Sequence, residues 1–124
     1  MSKRRVVVTG LGIVSPVGNS IKTAWDNITA GNSGIGPVTS FDVSEFPVRF
    51  GGEVRDFDVA DYFPKKDARR MAEFIHFGIA AASQAIADAG FEIDDSNASR
   101  AGVAIGSGYN YFLIARTTKL KSYI

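Results

Sequence analysis

"VVVTGLGIVS", residues Val6 to Ser15, decides how the chain begins to fold. Three β-branched residues running into Thr-Gly-Leu-Gly have the form of a buried strand, because such side chains suit a sheet covered on both faces. A strand that opens into G-x-G is also how a dinucleotide-binding crossover starts. That reading fails at the third small residue. The fingerprint needs G-x-G-x-x-G or A with a helix following at once, whereas Gly10 and Gly12 lead to Ser15 and Pro16. Pro16 holds Ser15 extended. A ribose partner belongs about twenty residues on, and Gly31 and its neighbours supply no acid. The glycine pair is therefore read as letting a buried strand turn tightly beside other backbone.

Working outward, "SIKTAWDNITAG" predicts a helix. Ser20 is a fitting N-cap, Ile21, Ala24, Trp25 and Ile28 share one face, and Gly31 stands where the helix stops. "GNSGIGPVTSFDVSEFP" has the glycines, prolines and small polar residues of a long loop. "VRFGGEVRDF" alternates loosely and is read as a short strand or hairpin arm, weakened by Gly51 and Gly52.

The strongest helical signal runs from Pro64 to Gly90, "PKKDARRMAEFIHFGIAAASQAIADAG", with proline in the first turn and glycine at the stop. Met71, Phe74, Ile75, Gly78, Ile79, Ala82, Ala85, Ile86 and Ala89 fall near helical spacing. Its small-residue middle lets another helix approach closely, which suits a layered α/β core. After the polar connection "FEIDDSNASR", the run "AGVAIGSG" predicts a second buried strand over Ala101–Gly106 ending in a glycine turn.

Composition bounds the function. With 124 residues, 45% apolar and 22% charged, the chain reads as about one soluble globular domain. A net charge of +1 gives no general case for nucleic acid or an anionic membrane surface, and no apolar run is long enough to span a bilayer. The basic start "MSKRR" is followed by glycines and no clear small-x-small cleavage site, a poor fit to a secretory signal. Zero cysteines leave the cytoplasm as the default compartment. Without cysteine, and with His76 as the single histidine, no metal site is expected. His76, between Ile75 and Phe77 on an apolar helix, is read as structural. Asp94 and Asp95 are read as exposed turn residues rather than a general acid pair.

Together "RRVVVTGLGIVSPVGN", the following Trp25, "GNSGIGPVTSFD", "KDARRMAEFIHFGIAAASQAIADAG" and "AGVAIGSG" resemble the N-terminal part of the β-ketoacyl-[acyl carrier protein] synthases, most closely the synthase II type. The resemblance covers Ser2 to about Gly108. It implies an α/β chain with a partial thiolase-like fold, the N-terminal portion of an αβαβα layered architecture that usually dimerises. It also implies that the opening glycine turn binds no dinucleotide, and it calls for no cofactor. Enzymes of this family elongate acyl chains by decarboxylative Claisen condensation of an acyl thioester with malonyl-carrier protein. A cysteine takes the acyl group, and two histidines assist decarboxylation and stabilise the developing charge. This chain has no cysteine, and His76 matches no catalytic motif. No catalytic residue is assigned, and the chain alone is expected to be inactive.

Two positions take roles from the resemblance. Lys65, Lys66, Arg69 and Arg70 form a basic cluster whose i, i+4 pairs line one helical face. In the family, basic residues at the matching stretch help dock the acidic acyl carrier protein; the plain alternative is a solvated face. Tyr109 falls where the family places a smaller residue gating the acyl pocket, and would crowd it. Residues 1–108 are thus read as a ketosynthase-like segment and 109–124 as a divergent tail, whose "YNYFLIARTTKLKSYI" does not resemble the family. A frameshift, an engineered end, an unusual variant or a genuine terminal element all remain open for it. The alternative to a synthase segment is a non-catalytic interaction or structural module derived from one. Cysteine and histidine motifs encoded downstream of Ile124 would favour the former. Either way, unpaired strand edges predict a homo-oligomer or a companion chain.

Overall fold

The computed structural model describes residues 3–106. Its elements, in chain order, are helix α1 (Ile21–Thr29), strands β1 (Ile35–Pro37) and β2 (Phe50–Gly52), a 3-10 turn (Val59–Asp61), and helices α2 (Lys65–Ala68) and α3 (Glu73–Ala89).

Helix α3 is the element on which the N-terminal segment is laid. A Cβ on Gly10 would overlap the Ala85 carbonyl oxygen and lie 2.6 Å from the Ala89 nitrogen. On Gly12 it would overlap the Ala81 carbonyl and lie 2.8 Å from the Ala85 nitrogen. Advancing two residues along the segment therefore moves its contacts back one turn of α3. That match requires an extended backbone, because two extended residues rise about 6.6 Å and four helical residues about 6 Å. Side chains of α3 hold this register. The Leu11 amide donates to Asp88 Oδ2 at 2.9 Å, and the Ile13 amide donates to Gln84 Oε1 at 3.1 Å. The glycines thus serve close backbone packing against a helix. The small-residue middle of α3 receives this extended backbone rather than the second helix that its composition suggested.

Neither predicted buried strand forms. Val6–Gly10 and Ala101–Gly106 carry no strand pairing among the described residues, and Val6, Val7 and Val8 are 88%, 66% and 78% exposed. The reason is the nature of a strand: unlike a helix, it closes no hydrogen bonds within itself and needs a neighbour in register. Ile105 still reaches α3, where its side chain comes within 3.7 Å of the Cβ position of Gly78.

Helix α1 starts as predicted, with Ser20 Oγ accepting from the Thr23 amide at 3.2 Å. Its apolar face divides. Ala24 is buried, whereas Trp25 is 64% and Ile28 54% exposed. Only the alanine is small enough to meet the turn below it, where a Cβ on Gly18 would lie 2.7 Å from the Ala24 nitrogen. That turn closes through paired Ser15–Gly18 backbone bonds of 3.0 and 3.1 Å, and Asn27 Nδ2 donates to Val17 O to tie it to α1.

The expected hairpin arm at Phe50–Gly52 is present, and its antiparallel partner comes from the stretch read as loop. Ile35 pairs with Gly52, Gly36 with Gly51 and Pro37 with Phe50. Proline is tolerated there because an edge strand has one side that makes no ladder bonds. Beyond the ladder, Glu53 accepts from the Thr39 and Ser40 amides at 3.0 Å and from their hydroxyls at 2.8 and 2.6 Å. These bonds hold its carboxyl down at about 2, the Ser40 hydroxyl contributing most.

The single long helix predicted from Pro64 to Gly90 is two helices. After α2, the Arg70 and Met71 amides bond three residues back, to Asp67 and Ala68, and Ala72 turns extended at ψ 151° before α3 begins. Helix α3 then ends as predicted, with Gly90 left-handed at φ 59°, a conformation glycine adopts without penalty. Among the described residues the buried set is small: Ala24, Phe63, Ala68 and Ala80. Ala68 closes α2 and Phe63 lies just before it, so the short helix is anchored from beneath.

Candidate functional site

The residues around the break between α2 and α3 position the candidate site. In one continuous helix, His76 would stand about 12 Å along the axis from Ala68. The break folds the first turn of α3 back, and His76 Nε2–H donates to the Ala68 carbonyl at 3.0 Å. A carbonyl only accepts, so this bond fixes the proton on Nε2. The ring also packs on buried Phe63, with centroids 5.4 Å apart. Phe57 continues the aromatic cluster, stacked on Tyr62 at 5.7 Å and edge-on to Phe77 at 5.1 Å. His76 has the structural role its apolar setting suggested.

With Phe63 and Ala68 held inward, the four basic residues face solvent. Lys65 and Lys66 lie on α2, Arg69 caps it in helical conformation, and Arg70 follows; all are exposed. Helix α2 ends at Ala68, inside the cluster: the Arg69 amide still bonds four residues back to Lys65 O at 3.3 Å, whereas the Arg70 amide bonds three back to Asp67, so only Lys65 with Arg69 keeps a full helical turn. Among the described residues none of the four makes an ion pair, the one such pair being Lys22 with Asp26 at 2.6 Å. Asp67, between them, is partly buried. The arrangement is an exposed cationic cluster, interrupted by Asp67. It can attract an anionic partner, and it holds no group positioned to make or break bonds.

Tyr109 lies outside the described residues. Asp94 and Asp95 are exposed in the turn after α3, where Asp94 Oδ1 accepts from the Ser96 and Asn97 amides at 2.8 and 3.1 Å. No group of three or more His, Cys, Asp or Glu side chains able to hold a metal occurs among the described residues.

Gln84 was not singled out in the sequence, and it joins three parts of the chain. Besides accepting from Ile13, it donates through Nε2 to Asn19 O at 2.8 Å and to Tyr62 Oη at 2.7 Å. Its signal was present in outline. Gln84 and Asp88 are polar residues one turn apart, flanked by Ala81, Ala85 and Ala89 on one stripe of α3. Polar side chains set among small ones on a helix mark a place where backbone groups approach and need partners.

Comparison with known proteins agrees with this geometry. The model of the β-ketoacyl synthase N-terminal domain matches residues 3–123. The 3-oxoacyl-[acyl-carrier-protein] synthase 2 of Vibrio harveyi is 56% identical over 108 residues, 87% of this chain. That of a Synechocystis strain is 48% identical over 108 residues. The chain spans 26% of the length of each of these relatives. Among solved structures, the ishigamide ketosynthase/chain length factor superposes with a TM-score of 0.66 at 35% identity, over 76% of this chain and 23% of the other. The mixed helix and strand architecture is thus part of an α/β thiolase-like fold. By its helices, its glycine-lined N-terminal segment and these matches, the chain belongs to the β-ketoacyl synthase family and corresponds to its N-terminal domain.

Proposed function

We propose that this chain supplies the N-terminal portion of a type 2 3-oxoacyl-[acyl-carrier-protein] synthase, an acyltransferase of fatty-acid biosynthesis that extends acyl chains with malonyl-carrier protein. The supporting observation is 56% identity over 108 residues to a longer synthase, of whose length those residues are 26%. The chain by itself does not condense substrates. It has no cysteine to take the acyl group, and its only histidine commits Nε2–H to the Ala68 carbonyl. In this reading the parent enzyme acts in the cytoplasm. No helix among the described residues is long and apolar enough to cross a membrane.

The part left to this segment is docking. Lys65, Lys66, Arg69 and Arg70 offer acyl carrier protein an exposed positive face, which accelerates encounter more than it tightens the complex. The contact is weak and strongly salt-dependent, because exposed charges are screened over about 8 Å at physiological ionic strength. Two measurements test the proposal. Purified chain mixed with acyl- and malonyl-carrier protein gives no condensation above a protein-free blank; turnover that scales with chain concentration after removal of contaminating synthase overturns the inactivity. In NMR titrations of labelled carrier protein, Arg69→Glu with Arg70→Glu abolishes the shifts seen at low salt. Identical shifts with the unchanged and reversed chains overturn the docking role and leave a merely solvated face.

A further inference from the structure

We draw no further inference here: the strongest candidate, the exposed apolar patch of Val6, Val7 and Val8 beside Leu11 at the N-terminal segment, carries nothing because nothing in the structure shows what covers it.

Discussion

Replacing Gly12 with alanine tests the central packing of this fold with a single methyl group. The new Cβ would overlap the Ala81 carbonyl and lie 2.8 Å from the Ala85 nitrogen, and both neighbours are helix backbone that cannot rotate away. The segment must therefore lift from α3, which stretches the bonds from the Leu11 amide to Asp88 and from the Ile13 amide to Gln84. Overpacking of this type costs about 1–3 kcal/mol, and each weakened hydrogen bond adds up to about 1 kcal/mol. The expected loss is about 1–5 kcal/mol, a large share of the roughly 5–15 kcal/mol typical of a folded domain. Urea denaturation followed by circular dichroism measures the loss, and hydrogen exchange at Leu11 and Ile13 locates it. Gly102→Ala is the control, since a Cβ there has nothing within 4 Å. Equal stability for Gly12→Ala and the unchanged chain, or an equal loss in the control, would refute the packing argument.

Glu53 makes the hairpin sensitive to acid. Its carboxyl is depressed from 4.5 to about 2, so its contribution is complete above pH 4.5 and lost as pH falls through about 2. NMR shifts of the Thr39 and Ser40 amides are expected to titrate with a midpoint near 2, and Glu53→Gln removes that titration; a midpoint at the ordinary carboxylate value refutes the clamp. The bare valines of the N-terminal segment, at 88%, 66% and 78% exposure, predict that the isolated chain self-associates or takes up a companion chain. Light scattering across a range of concentrations reads this directly, and a compact monomer throughout contradicts it.

The cationic surface shows how far local sequence reaches. Four basic residues at one-turn spacing were legible without a structure, as was the proline that opens their helix, because both depend only on neighbours along the chain. What holds the cluster outward was not legible. Phe63 and Ala68 turn inward, and His76 folds back to the Ala68 carbonyl, through contacts between residues eight apart in a chain that bends. Periodicity alone made this stretch one helix, since apolar spacing continues across Arg69–Ala72 and neither glycine nor proline marks the break.

By itself the sequence determined the N-cap at Ser20, the left-handed stop at Gly90 and the lack of cysteine in these 124 residues. Each is a property of a residue and its immediate neighbours. It also carried, in motifs spread over most of the chain, the resemblance that the family match bears out. Tertiary structure decided what the β-branched run does. Val6–Val8 have strong strand character but no pairing among the described residues, because a ladder needs a second strand at the right distance and register. It likewise decided why Gly10 and Gly12 are glycines: the backbone of α3, some seventy residues away in sequence, passes too close for any side chain.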